Sequence, residues 1–94
     1  MINIQHIKAC KNQQRDAQRQ VYDLLARKLY FTCSQYLKKE EEIEEVMADS
    51  FYIIFTKINQ LREELAFEGW AKKIAVNQCL MQLKKNVNLI MHKL

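Results

Sequence analysis

The residue types that most often carry out catalysis are few in this sequence and lie far apart. Its two histidines, His6 and His92, are at opposite ends of the chain, and neither has a cysteine, serine or carboxylate at a spacing that suggests a catalytic triad. The chain has one glycine, so it contains no glycine-rich phosphate-binding loop. We therefore expect a protein that is not an enzyme and that uses no cofactor.

The cysteines and the clustered glutamates are the other candidates for metal ligands. Cys10, Cys33 and Cys79 lie far apart in apolar segments and show no CxxC or Cys/His spacing, which is typical of reduced, buried thiols in a cytosolic protein. The glutamates of residues 40–45 fall at a predicted helix start, where solvation or the helix dipole explains them better than metal binding does. The sequence thus predicts no metal site.

Length and composition suit one domain, and the cysteines and the N-terminus lead us to expect a cytoplasmic one. The 94 residues are 49% hydrophobic and 28% charged and include no proline, which suits a single domain over residues 1–94 with a modest core. No apolar run approaches the roughly 20 residues that cross a bilayer. The N-terminus, MINIQHIKAC, lacks the basic-then-apolar layout of a signal peptide. We expect no insertion into a membrane.

Apolar residues recur at steps of three and four, which predicts an all-α fold, a compact bundle of about four helices. The first helix is expected over about Asn3–Lys11 and the second, long and central, over about Gln14–Leu37. The third begins at the glutamates of residues 40–45, and the fourth runs from about Phe67 to near the end, after a break in the pattern at residues 59–69. The residues predicted to be buried together are Leu25, Leu29, Phe51, Ile54, Phe55, Trp70 and Ile74.

Charged residues are segregated by sign along the chain. Residues 1–39 carry eight Lys/Arg and two Asp (+6), residues 40–56 carry six acids and no base (−6), and residues 57–94 carry seven bases and three acids (+4). The basic balance is compatible with nucleic acid as a partner, although scattered lysines on a solvated helix face would give the same balance. The acidic block between two basic blocks indicates a second partner, a basic protein.

The segment FEGWAKKIAVN, residues 67–77, holds the only glycine and the only tryptophan of the chain. Its large apolar residues follow helical steps, and large aromatic residues dominate small cores, so a buried position is favoured over contact with a ligand. The residues expected in the core on this basis are Phe67, Trp70, Ile74 and Met81.

Three segments occur in a characteristic order and spacing: DAQRQVYDLLARKLY, EEIEEVMADSFYIIFTKI and FEGWAKKIAVN. Together they resemble region 2 of bacterial sigma factors of the extracytoplasmic-function (ECF) group over about residues 5–86. The third is the most specific, and its F.GW...IA.N pattern is present through Phe67, Gly69, Trp70, Ile74, Ala75 and Asn77. In the middle segment the family's glutamine is replaced by Ala48, whereas its aromatic positions match at Phe51 and Phe55.

This resemblance implies a domain that binds core RNA polymerase and recognises and melts the promoter minus-ten element in transcription initiation. In such domains the acidic helix docks on the basic coiled coil of the polymerase's largest subunit. The polymerase-binding residues implied here are Glu41, Glu44, Glu45, Ala48, Asp49 and Tyr52.

The same resemblance implies that the loop before the last helix, and the start of that helix, meet the single-stranded non-template strand. The DNA-binding residues implied are Asn59, Gln60, Arg62, Phe67, Trp70, Lys72, Lys73 and Asn77. Cations would hold phosphates, and amides would hydrogen-bond base edges. Two alternatives remain for each of two residues. Trp70 either belongs to the core or contacts DNA, and Asn77 either caps a local backbone group or reads a base.

The C-terminal part carries a second apolar pattern. It is distinct from the row formed by Phe67, Trp70, Ile74 and Met81, which we call the Trp70 stripe. Steps of 4, 3, 4, 3 and 4 form a coiled-coil-like seam, made of Val76, Leu80, Leu83, Val87, Ile90 and Leu94. Sigma factors of this group carry a second helical domain, so we expect residues 87–94 to be a helical extension toward it and the sequence to be an excised domain. The seam would pair with another copy, or meet the linker, the second domain or an anti-sigma factor.

Two other functions fit the same patterns. One is a helical adaptor that binds only proteins through the apolar seam, which predicts no affinity for promoter DNA or polymerase. The other is a duplex-binding helix-turn-helix regulator, which predicts a preference for closed duplex over single strands.

Overall fold

A computed structural model describes residues 2–94 as helices joined by short connections. The elements are α1 (Ile4–Lys11), α2 (Arg15–Tyr36), α3 (Glu40–Lys57) and α4 (Phe67–Lys93), with two 3₁₀ turns, Ile58–Gln60 and Glu64–Ala66, between α3 and α4. This part of the chain contains no strand. The all-α prediction is confirmed, and the predicted ends of α1 and α2 agree with the observed ends to within one residue.

The turn between α1 and α2 is a Schellman motif. The Gln13 N–H donates to the Cys10 carbonyl at 2.9 Å, and the Gln14 N–H donates to the Ala9 carbonyl at 3.2 Å. Gln13 supplies the left-handed residue of this motif, with φ of 59°, in a position that glycine fills more easily. The motif reverses the chain, so that α1 packs against α2.

One hydrophobic core lies among α2, α3 and α4, with α1 packed against α2 and both 3₁₀ turns. Four of the seven residues predicted to be buried together are buried: Leu25, Leu29, Phe51 and Ile54. The prediction is wrong in degree for the other three, because Phe55, Trp70 and Ile74 are only partly buried and pack against the edge of the core.

The buried face of α4 differs from the predicted one. It consists of Phe67, Ala71, Ala75 and Cys79, each at most 2% exposed. Burial of Phe67 is therefore confirmed, whereas the placement of Met81 in the core is wrong, since that side chain is 63% exposed. Small side chains allow α4 to approach its neighbours closely, which leaves larger residues such as Trp70 at the flanks of the contact.

The C-terminal part of α4 extends away from the packed helices. Residues 87–94 are all exposed, and Leu83 is the last seam residue that packs against the core. The described chain is accordingly elongated, with principal extents of 51 × 22 × 20 Å. The outer half of the predicted seam thus forms an uncovered apolar stripe.

Candidate polymerase and nucleic-acid interfaces

One face of α3 is acidic and exposed along its length. Its opposite face is fixed in the core by residues such as Ile43, Val46 and Ile54, so positions three and four apart on the outer side share a surface. We call this surface the acidic face; its members are Glu41, Glu44, Glu45, Ala48, Asp49 and Tyr52, all of them exposed. The six residues that the sequence predicts for polymerase binding therefore lie together.

The carboxylates of the acidic face are free, whereas neighbouring acids have partners. Glu40 accepts a hydrogen bond from the Tyr30 hydroxyl at 2.7 Å, which raises the Tyr30 pKa, and Glu42 accepts one from Gln82 at 3.3 Å. The ion pairs within residues 2–94 are Lys11–Glu64 and Lys28–Glu68, and neither involves the acidic face. Four unpaired carboxylates on one helix face suit a basic partner surface.

The loop between α3 and α4 is fastened to α1 by one lysine. Lys11 Nζ donates to the Leu61 carbonyl at 2.5 Å and lies 3.5 Å from Glu64 Oε1. The Glu64 side chain accepts a hydrogen bond from the Glu64 backbone N–H, and this bond lowers the Glu64 pKa. The positive charge of Lys11 acts in the same direction. Nothing in the sequence indicated Lys11, because its partner at Leu61 is 50 residues away. The loop is held in place before any partner binds.

On α4, the predicted DNA-binding polar residues are exposed and unpaired. Lys72, Lys73 and Asn77 lie outside the buried face. The side-chain hydrogen bonds of this helix within residues 2–94 involve Glu68, Gln78 and Gln82, and none involves Asn77. Capping of a backbone group is thereby excluded for Asn77 in the described chain, and its amide is free to bind a ligand.

Glu68, the acid nearest these lysines in sequence, is paired with α2. Lys28 Nζ lies 2.9 Å from Glu68 Oε2 and hydrogen-bonds both carboxylate oxygens. The pair is exposed and contributes little to stability. Its effect is electrostatic, since the positive charge of Lys28 offsets the negative charge of Glu68, the carboxylate next in sequence to Lys72 and Lys73.

The two aromatic residues predicted to contact DNA differ in burial. Phe67 is 2% exposed, so its ring lies inside the core and presents almost no surface to a ligand, and its assignment to DNA binding stays a prediction. Trp70 is partly exposed and packs against Phe67, with ring centroids 5.9 Å apart at 44°. Trp70 therefore contributes to the core and also presents part of its ring to the surface.

The family model Sigma-70 region 2 matches residues 21–88, which is more than half of the chain. The chain belongs to this family. Comparisons with curated proteins and with solved structures found no match. Sigma-70 region 2 is a non-enzymatic domain of transcription initiation that binds core RNA polymerase and takes part in promoter recognition. The matched span contains the acidic face, the loop and most of α4, whereas α1 and the first residues of α2 lie outside it.

Within this sigma region 2 domain, two of the predicted DNA residues lie in separate groups of side chains. Asn59 lies beside the α1–α2 turn, where it lines a depression with Gln13 and Arg15. Lys72 instead lines a groove between α2 and α4 together with Arg27, Phe31 and other residues. The sequence did not separate these groups, because their positions depend on how the loop packs against α1.

The remaining features of the sigma region 2 domain concern its thiols, metal binding and membrane spanning. The three cysteines are free and buried; burial, and secondarily the neighbouring Cys79 thiol, raises the pKa of Cys33 to about 12. Among residues 2–94, no three His, Cys, Asp or Glu side chains are arranged to hold a metal ion. None of the helices in that span combines the length and apolar character needed to cross a bilayer.

Proposed function

We propose that this sigma region 2 domain is of the ECF type and docks its acidic face on the basic coiled coil of the largest subunit of core RNA polymerase. The observation that carries the proposal is the set of four free carboxylates on an exposed helix face whose other side is locked in the core. The FEGWAKKIAVN segment supports the ECF type. Action on bacterial polymerase places the domain in the cytoplasm.

We propose further that the loop and α4 bind the single-stranded non-template strand of the minus-ten element and thereby help to melt the promoter. Exposed cations suit phosphates, the partly exposed Trp70 offers a ring face for a base, and the free Asn77 amide suits a base edge. The proposed residues are Asn59, Gln60, Arg62, Trp70, Lys72, Lys73 and Asn77.

The uncovered end of the seam is the proposed contact for a further protein. Val87, Ile90 and Leu94 are exposed apolar residues at heptad spacing. The partner is the anti-sigma factor, the second domain that the ECF resemblance implies, or another copy of this chain. Family membership gives no support to the adaptor or to the duplex-binding regulator.

Charge reversal on the acidic face tests polymerase binding. Glu45→Lys combined with Asp49→Lys should abolish capture of the domain by core RNA polymerase, because like charges would then face each other across the interface. Both residues are exposed, so the free energy of unfolding should change by no more than about 0.5 kcal/mol. Binding is measured by pull-down and by fluorescence anisotropy of the labelled domain.

The control for this experiment is Asp23→Lys, which reverses an exposed carboxylate on α2 that forms no ion pair within residues 2–94. It should bind polymerase as the original domain does. If the folded double variant also bound normally, the acidic face would not be the polymerase contact.

A further inference from the structure

A groove of about 290 Å³ lies between α3 and α4 beside the acidic face. We call it the α3–α4 groove. Its α3 wall carries Glu45 and Asp49, two members of the acidic face. Its α4 wall carries residues three and four positions apart, which share one side of a helix. These α4 residues are Gln78, Met81, Gln82 and Lys85. None of the four belongs to the polymerase-binding or DNA-binding residues proposed above.

Met81 is the exposed apolar surface of the α4 wall. Its side chain is 63% exposed, and its Sδ atom lies 3.7 Å from the Gln78 amide nitrogen, which donates to it. The Gln82 amide donates to Glu42 Oε2 at 3.3 Å and to Asn86 Oδ1 at 3.1 Å, so it ties this wall to α3. Both glutamines are thus engaged within the domain, whereas most of Met81 faces solvent. Methionine is enriched at protein interfaces, because its flexible thioether adapts to the shape of a partner.

A partner that covers the acidic face is wide enough to reach α4. A stable protein interface covers about 800 Å² on each partner, whereas a helix with its side chains is only about 10–12 Å wide. On the α2 side of α3, the Tyr30 hydroxyl donates to Glu40, and the Tyr22 ring packs on Phe51 with centroids 4.5 Å apart. Aromatic side chains therefore fill that boundary, while the boundary toward α4 is an open groove into which a side chain of the partner can insert.

Lys85 places a cation in the same groove. It is exposed, and it forms no ion pair with Glu45 or Asp49 in the described chain. A cationic side chain that reaches these two carboxylates also meets the charge of Lys85. Like charges across an interface oppose association.

We propose that the α3–α4 groove receives one arginine or lysine side chain of the basic polymerase surface, and that Lys85 weakens this contact. Glu45 and Asp49 bind the cationic head group, while Met81 covers its aliphatic stem, since long cationic side chains bury their stems along apolar surface. The inference rests on the proposed function. It adds α4 to the polymerase contact and makes Lys85 a residue that limits the affinity of the domain for polymerase.

Charge reversal at Lys85 tests the electrostatic part. Affinity for core RNA polymerase is measured by fluorescence anisotropy of the labelled 94-residue domain at about 0.15 M salt, where charges act over about 8 Å. Lys85→Glu should raise the affinity on the order of fivefold, because it removes one repulsion and adds one attraction of the size of an exposed ion pair. The matched control is Lys84→Glu, the same charge change at an exposed neighbour that does not line the groove. It should change the affinity by less than about twofold.

Truncation of Met81 tests the apolar part. Met81→Ala should lower the affinity on the order of threefold, because the stem of the inserted side chain loses its apolar cover. Met91→Ala is the control, since Met91 is 64% exposed on the same helix and does not line the groove. It should leave the affinity unchanged. All four side chains are exposed, and circular dichroism checks that each variant is folded.

The outcomes separate this inference from the proposed function. If Glu45→Lys with Asp49→Lys abolishes binding while Lys85→Glu and Met81→Ala behave like their controls, the groove is overturned and the acidic face stands. If Lys85→Glu alone acts as expected, the contact with Met81 is overturned and the role of Lys85 stands. A double variant that binds normally overturns the acidic face and the groove together, because Glu45 and Asp49 are the carboxylates of both.

Discussion

At the residue scale, Gln13 shows how one position serves the turn at a cost in energy. A non-glycine residue in the left-handed region costs roughly 1–2 kcal/mol. The hydrogen bonds of the Schellman motif, donated by Gln13 and Gln14, offset that cost, because they satisfy carbonyls at the end of α1 that would otherwise lack partners. A side chain at this position is thus retained against a local preference for glycine.

Gln13→Gly should therefore stabilise the domain. Removal of the left-handed strain is partly cancelled by the greater freedom of glycine in the unfolded chain, so we expect a net gain of about 0.5–1 kcal/mol in the free energy of unfolding. Urea denaturation followed by circular dichroism measures the change. Gln20→Gly, in the interior of α2, should instead lose about 1 kcal/mol. An equal loss in both variants would mean that the backbone at Gln13 is not strained.

The sequence predicted exposure at single residues better than it predicted partners. The outward positions on α3 follow from helical spacing, and all six proved to be exposed. Lys11 and Glu68 are different, because the groups that they contact are 50 and 40 residues away in sequence. Phe67 was assigned both to the core and to DNA, and its side chain is buried.

At the element scale, the rotation of α4 about its axis was the feature that the sequence predicted least well. Large apolar residues occur on several sides of this helix, since the Trp70 stripe and the C-terminal seam are distinct, so helical periodicity does not select one buried face. The structure selects the face with small residues, Ala71 and Ala75, both fully buried. Close packing of α4 on α2 and α3 decides the rotation, and that depends on the facing helices.

Ala75→Leu tests this packing. The added side chain has no space at a position that is 0% exposed, so we expect a loss of about 1–3 kcal/mol in the free energy of unfolding. Ala48→Leu is the control: the same substitution on the exposed face of α3 should change stability by about 0.5 kcal/mol or less. Thermal and urea unfolding of both variants measure the difference. Equal stability of the two variants would contradict close packing at Ala75.

At the scale of the whole molecule, the charge blocks of the sequence become separate surfaces. The acidic face occupies the outer side of α3, while Arg62, Lys72 and Lys73 lie in the loop and on α4. Segregation along the chain predicted this arrangement, because the acidic block, residues 40–56, falls on α3 alone. One cation lies near the boundary, since Lys85 lines a groove with Glu45 and Asp49. A basic protein and a polyanion can therefore bind the domain without competing for one surface.

The salt dependence of DNA binding distinguishes phosphate contacts from base contacts on the loop and α4. If Arg62, Lys72 and Lys73 each neutralise one phosphate, replacing all three by alanine should lower the slope of log K against log salt by roughly two, because each contact to a single strand contributes about 0.7.

Asn77→Ala is the uncharged control and should leave the slope unchanged. It should instead reduce discrimination among strand sequences, since a base-edge contact carries identity and a phosphate contact carries mainly affinity. Anisotropy titrations of labelled single strands at several salt concentrations measure both quantities. An unchanged slope in the triple variant would move the DNA path off this surface, and equally tight binding of scrambled strands by the original domain would remove base reading from it.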